Sequence, residues 1–482
     1  MRNRKVGKIA DSDKSGRITS PARRRLGLVA CPPPSRRFEK MMHDESGTSA
    51  QAAVFSRRRL VGAAAAASLG GSLAVGASGE SIAQNAGTSR FPFPRHLVYA
   101  PGAIRPNHRT QLQQDDDVRA AYDRWKAAYI VAAGTAADGE PVYRVALGKP
   151  GTENHATTVS EGQGFGMVIV AHLAGHDPDA REVFDGLWRF ARTYPSGIDP
   201  RLMSWHIPIG DTGNDSAFDG DCDMAYALLL ADRQWGSDGP TDYRAAGEEL
   251  LDGILESTTG PSSHLPLLGD WVDPAGDPYS EYTPRTSDFM LGHFRAFERA
   301  SKNTVWSEVV AACQGVVSSL QANHSPGTGL LPDFVQPVST TDHTPRPADP
   351  DFLEGPHDGH YYYNAGRDPW RLGTDAVLND DAASISQART IARWAADIAR
   401  GNPTAIRAGY TLDGTPVAGS DYVTTFFVAP FGVAAMTDER LQPWLNDVYD
   451  AVRDHPEDYY EDSVTLLCLL VMAGNFWDPT AT

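Results

Sequence analysis

The sequence predicts an all-α fold. Apolar residues recur at helical spacing in about twelve segments, and Pro- and Gly-rich loops separate many of them. Sustained apolar–polar alternation is missing, apart from a short candidate strand over residues 142–145. No low-complexity linker interrupts residues 110–476, so one domain is expected although 482 residues would allow two or three. Twelve such helices would close into an α/α barrel of two concentric rings or stack as a solenoid, and helix number alone leaves both open.

Residues 1–55 are basic and proline-bearing and lack periodicity, with Met41 and Met42 as alternative starts. Arg57, Arg58 and Arg59 then precede an uncharged Ala/Gly-rich run over residues 60–79. A basic segment, a mildly apolar run and a small-residue exit make a signal peptide, and the arginine pair resembles a twin-arginine export signal. Cleavage is expected after Ala83 or Ala86. The run is too rich in Ala and Gly for a membrane span. The expected organisation is therefore an extension plus signal over 1–86, a Pro/Gly-rich lead-in over 87–112 and a catalytic domain over 113–482. The mature protein is expected to be secreted or periplasmic, free of the membrane and monomeric.

The first helix is expected over about 114–134, where Val118, Tyr122, Trp125 and Tyr129 share a face. Others are expected near 162–174, 179–193, 220–234, 241–256, 286–300, 304–322, 368–379, 384–399, 420–436, 440–454 and 461–474.

The net charge of -18 hides an asymmetry. Residues 1–90 hold 16 Lys and Arg against 6 Asp and Glu, leaving 27 basic and 55 acidic residues for the remainder. So acidic a domain argues against nucleic acid and anionic membrane as partners and suits a neutral or cationic polymer. Of four cysteines, Cys31 lies in the leader. Cys222, Cys313 and Cys468 cannot all pair and read as buried thiols. No zinc-type spacing occurs, and no metal or cofactor is expected.

Three stretches concentrate chemistry. Residues 157–167 read Thr-Thr-Val-Ser-Glu-Gly-Gln-Gly-Phe-Gly-Met. Glu161 sits there at the start of an apolar helical run, among glycines that let a backbone or a flat ring come close. Taken alone it also fits a capping glutamate. Residues 217–224 read Ala-Phe-Asp-Gly-Asp-Cys-Asp-Met, placing Asp219, Asp221 and Asp223 where a loop enters a helix. A calcium loop would need a closing glutamate, but residues 228–231 continue an apolar helix. Residues 351–373 carry Asp-Phe-Leu-Glu-Gly-Pro-His and then Tyr-Asn-Ala-Gly-Arg.

In this order the three stretches resemble glycoside hydrolase family 8, over roughly residues 110–476. The resemblance implies an (α/α)6 barrel, inverting hydrolysis of β-1,4-linked polysaccharide and polysaccharide as the binding partner. Inverting chemistry needs a protonated acid and a carboxylate base flanking the bond, with room for a water. The resemblance implies Glu161 as general acid, which burial beside apolar groups such as Phe165 and Met167 would keep protonated. It implies Asp219 as the aspartate that binds and distorts the sugar, although Phe218 replaces the usual Ser or Thr before it.

A further departure is informative. Many members read Tyr-Asp-Ala-x-Arg, with that aspartate as base; here Tyr363-Asn364-Ala365-Gly366-Arg367 puts an amide there. An amide cannot take a proton from water at neutral pH. Glu354, in the loop ten residues upstream, matches the base of the subgroup of chitosanases and related glucanases. Chitosan is then the expected substrate, with cellulose or mixed-linkage β-glucan as the alternative and a noncatalytic binder as a different class. Trp205, Trp271, Tyr361, Tyr363 and Trp370 are candidate sugar-stacking aromatics, and Asn364 and Arg367 candidate polar contacts, Arg367 to Glu354 or a sugar hydroxyl.

Overall fold

Several helices of this chain are buried on nearly every face, which places them inside the protein rather than on its surface. The computed structural model describes residues 89–210 and 213–481. Among them are twelve α-helices: α1 (Gln111–Tyr129), α2 (Ser160–His172), α3 (Ala180–Thr193), α4 (Phe218–Trp235), α5 (Tyr243–Ser257), α6 (Leu291–Ser301), α7 (Val305–Asn323), α8 (Asp368–Asn379), α9 (Ala382–Ala399), α10 (Thr425–Ala435), α11 (Gln442–Val452) and α12 (Tyr459–Met472). The nearly wholly buried ones are α2, α4, α8, α10 and α12. With α6 they form a closed inner ring, in which α2 packs on α4, α4 on α6, α6 on α8, α8 on α10, α10 on α12, and α12 back on α2. Each outer helix covers an inner one: α3 on α2, α5 on α4, α7 on α6, α9 on α8, α11 on α10 and α1 on α12. The ring closes, so the fold is an (α/α)6 barrel and not a solenoid.

The inner helices run parallel, which gives the barrel two different ends. Residues 89–110 wind across the C-terminal end. Backbone N–H groups of Arg90, Phe93, Leu97, Ala100 and Ile104 donate to carbonyls of Gln234, Ala174, Gly474, Val377 and Met436, near the ends of α4, α2, α12, α8 and α10. Carbonyls that a helix end leaves unpaired are thereby satisfied, and the base is sealed. The N-terminal end carries the long connections that precede the inner helices.

Short two-stranded sheets stiffen these connections: the hairpin of β1 (Ile130–Thr135) with β2 (Pro141–Val145), the long-range pair β3 (Thr158–Val159) with β4 (His206–Ile207), and the hairpin of β5 (Val335–Pro337) with β6 (Pro345–Pro347), all antiparallel. The first hairpin shortens the expected first helix. α1 stops at Tyr129 because β-branched Ile130 and Val131 take extended backbone and pair with Val145 and Arg144. Helices expected from 286 and 420 begin later, at Leu291 and Thr425, after irregular loop.

The alternating glycines of α2 serve helix packing. A Cβ on Gly164 would lie 2.8 Å from both the Gly220 carbonyl oxygen and the Asp223 Cβ, and one on Gly220 would overlap the Ser160 backbone. This close approach of α2 and α4 puts Glu161 beside Asp219. Cys222, Cys313 and Cys468 are buried free thiols. Cys31 and the expected export signal lie outside the described residues. Among the described residues no helix is long and apolar enough to cross a membrane.

Candidate active site

The first turns of the inner helices and the loops before them supply every side chain of a buried charge cluster. Glu161 projects from the first turn of α2 and Asp219 from that of α4. Arg367, just ahead of α8, binds both: its Nη1 lies 2.5 Å from Glu161 Oε2 and 2.8 Å from Asp219 Oδ2. Its Nη2 donates to Ser287 Oγ at 2.8 Å and to Asn364 Oδ1 at 3.2 Å. Arg367 is 1% exposed, so it is a buried organiser of carboxylates rather than an open sugar contact. Nor does it touch Glu354 as one expectation had it; Asn364 stands between them, donating from Nδ2 to Glu354 Oε2 at 2.8 Å. Glu161 and Glu354 are thus joined through two intervening side chains and do not meet.

The shared guanidinium serves the two helix carboxyls unequally. Burial drives the Glu161 carboxyl up to about 8, against the pull of Arg367. Burial also pushes Asp219 upward, but Arg367 and Arg285 outweigh it and hold that carboxyl below its usual range. One group therefore keeps its proton near neutrality and its neighbour stays ionised. Phe165 and Met167, the expected apolar wall, are fully buried in the core instead, whereas the Tyr459 ring lies against Gly162.

Asp221 and Asp223 point away from the cluster. Asp221 accepts from the Met203 N–H at 2.9 Å, and Asp223 pairs with Arg371 and His293, each at 2.8 Å. The three aspartates serve three different partners. Phe218, the departure before Asp219, is a core residue packed edge-on against Phe294.

Glu354 owes its place to a small second core. Leu267, Leu268, Val272, Phe334, Ala348 and Phe352 cluster beneath its loop, and Tyr279 donates to the Phe352 carbonyl at 3.0 Å. Asp358 then accepts the backbone N–H groups of Leu353, Glu354 and Gly355 at 2.6, 3.0 and 2.9 Å. A loop lacking a regular ladder is pinned in this way by one carboxylate. Asp358 is thereby committed to this backbone.

The aromatic candidates divide. Trp370 is 2% exposed, packed edge-on against Phe165 and stacked under Arg371 at 3.9 Å; it belongs to the core and cannot stack on a sugar. Its position inside α8, rather than on the loop before it, explains the difference. Tyr363 is half-buried, stacks on Phe426 and shares a 2.9 Å hydroxyl contact with Tyr422. Trp205 is half-buried in the connection before α4, where its carbonyl accepts the Ser160 N–H. Trp271 is half-buried and edge-on to Tyr279, against the second core.

Sequence reasoning missed three charged neighbours. Arg285 lies 3.5 Å from both Asp219 and Glu354. Asp288 is fully buried beside Arg285, and burial lifts it to about 7. Asp333 accepts the N–H groups of Ala365 and Tyr362 at 2.7 and 3.0 Å, fixing the turn that carries Asn364. Arg285 and Asp333 sit in aperiodic loop text, whereas Asp288, inside the helix expected from 286, falls in the 3-10 turn over Thr286–Asp288 just ahead of α6.

Known proteins share this architecture and these sequences. The sequence model of glycosyl hydrolases family 8 matches residues 109–474. A β-glucanase of Niallia circulans is 41% identical over 390 residues, covering 80% of this chain and 91% of that protein. An endoglucanase of Bacillus sp. strain KSM-330 is 35% identical over 393 residues, covering 80% of this chain and 82% of the relative. The solved apo structure of a β-1,3-1,4-glucanase from Paenibacillus sp. X4 superposes with a TM-score of 0.74 at 40% identity, covering 80% of this chain and 99% of that one. A match of this extent, carried by a chain whose helices close into an (α/α)6 barrel around Glu161 and Asp219, makes this protein a member of glycosyl hydrolase family 8.

Proposed function

We propose that the protein is an endo-acting, inverting β-glucanase that cleaves β-1,4 bonds of glucan, with mixed-linkage β-1,3-1,4-glucan as its preferred substrate. One observation carries the chemistry. A half-buried carboxyl that desolvation keeps protonated to about pH 8, Glu161, shares the N-terminal end of the barrel with a separate half-buried carboxylate, Glu354. Two carboxyl groups kept apart by Arg367 and Asn364 suit attack by water on the face opposite the leaving group.

In this reading Glu161 delivers its proton to the glycosidic oxygen. Arg367, already within hydrogen-bond distance, then stabilises the carboxylate that remains. Asp219, held ionised by two guanidiniums, accepts sugar hydroxyls and favours the distorted ring at the cleavage point. Glu354 takes the proton from water. Asn364 binds one of its oxygens through an amide N–H, so the residue that cannot act as base orients the one that can.

Glucan is favoured over chitosan by the relatives, which are named β-glucanase, endoglucanase and β-1,3-1,4-glucanase. The acidic balance of the domain suits a polycation but equally suits plain solubility. A panel of lichenan, carboxymethyl cellulose and chitosan, read by reducing-sugar release, separates these readings. The expected order puts lichenan first and chitosan last. Release from chitosan alone would overturn the glucan assignment, and binding of all three without release would leave a noncatalytic polysaccharide-binding protein.

A further inference from the structure

We propose that Arg285 is the positioning residue of the water-activating carboxylate: it ties the loop-borne Glu354 to Asp219 on α4 and fixes the base in the cleft. The inference rests on the reading of Glu354 as base.

A glutamate on an irregular loop, with a side chain 21% exposed, is free to swing into solvent unless both carboxylate oxygens are held. Asn364 Nδ2 holds Oε2 at 2.8 Å. Arg285 Nη2 lies 3.5 Å from Oε1, and its Nη1 lies 3.5 Å from Asp219 Oδ2. One planar fork thus faces two carboxylates on different elements, which a lysine point charge cannot reproduce. Arg285 is itself immobilised. Its backbone bridges to Phe334, the Val335 N–H donates to the Pro284 carbonyl, and the guanidinium lies 5.4 Å above the Phe334 ring. Phe334 packs in turn against Phe352, in the loop that carries Glu354. The same ring therefore seats both the arginine and the loop it holds.

The charges facing Arg285 support this assignment. They are Asp219, Glu354 and Asp288, with Arg367 as the second cation. Neither oxygen of the buried Asp288 carboxyl has a hydrogen-bond partner, and burial favours its neutral form to about pH 7. Below about pH 7, where Glu161 and Asp288 both hold their protons, two guanidiniums balance the two carboxylates that the reaction needs ionised. Arg285 is then left to Glu354 and Asp219.

The test compares Arg285→Met and Arg285→Lys in the full chain, alone and combined with Glu354→Gln, on lichenan. Arg285→Met is expected to lower kcat about 10- to 100-fold with KM within about threefold. Loss of a cation beside a carboxylate disfavours its ionised form, so the acid limb of the kcat profile should move to higher pH by about one unit. Arg285→Lys should fall between Met and wild type. On the residual rate of Glu354→Gln, measured at high enzyme concentration, Arg285→Met should cost less than about twofold, because the group it positions is gone and Arg367, at 2.8 Å against 3.5 Å for Arg285, still holds Asp219. A kcat within about threefold of wild type with an unmoved acid limb would overturn the proposal. So would an equal fractional loss in the Glu354→Gln background, which would route the effect through Asp219. If Arg285→Met fails to fold by circular dichroism, Arg285→Lys decides by the same limb shift and the same background comparison. An active Glu354→Gln variant instead removes the base reading itself, a result distinct from an inactive Glu354→Gln beside a fully active Arg285→Met.

Discussion

Glu161→Gln lowers kcat on lichenan by about 10²- to 10⁴-fold, the usual contribution of a positioned general acid, while oligosaccharide affinity changes little. The amide keeps the shape of the side chain and still accepts from Arg367, but it has no proton to give. Activity within about tenfold of wild type would remove Glu161 from the acid role. The same variant carries a stability signature. In the fold the carboxyl is raised from 4.5 to about 8 by burial. Between these values the folded protein holds a proton that the unfolded chain has released, so stability falls as pH rises through that window. Gln does not titrate. The melting temperature of the variant relative to wild type should therefore rise steadily from pH 5 to pH 8, and a constant difference would contradict the assignment.

Glu354→Gln abolishes most hydrolysis, again by about 10²- to 10⁴-fold. Asn364→Asp alone is expected to harm the wild type. A carboxylate there would face Glu354 at the present 2.8 Å contact, beside an Asp333 that burial already pushes well above its usual range, and mutual repulsion would force Glu354 or the new carboxyl to keep a proton. The double variant Glu354→Gln with Asn364→Asp separates two accounts of the water. Asn364 is 6% exposed, whereas the Glu354 side chain is 21% exposed. The more open loop position meets cleft water more readily, so recovery in the double variant should be no more than partial. Recovery to within about tenfold of wild type would place the attacking water at the helix position. Near-wild-type activity in Glu354→Gln alone would remove the loop glutamate from the mechanism.

Much of this architecture was legible in the sequence because burial leaves a periodic trace. The inner helices read as apolar runs, and the three acid-bearing stretches fell where those runs begin. Glu161 and Asp219 were readable because each abuts such a start. Glu354 was readable only through its pairing with the amide at Asn364. The strand after Tyr129 was not foreseen, since Ile130 and Val131 extend a helical pattern and only pairing with residues 141–145 overrides it. Trp370 was misplaced because an aromatic at a helix start gives no sign of which face it takes; here it turns inward against Phe165. Arg285, Asp288 and Asp333 left no local trace. The partners of Arg285 and Asp333 are 29 to 69 residues away in sequence, Asp288 faces Arg285 from three residues on, and only the fold brings the cluster together.

Proton NMR of the first products from lichenan tests the central claim most directly. If Glu161 protonates the leaving oxygen while a water activated by Glu354 attacks from the opposite face, the α-anomer of the new reducing end must appear first and only then mutarotate. An initial β-anomer would contradict the two-carboxylate inverting account.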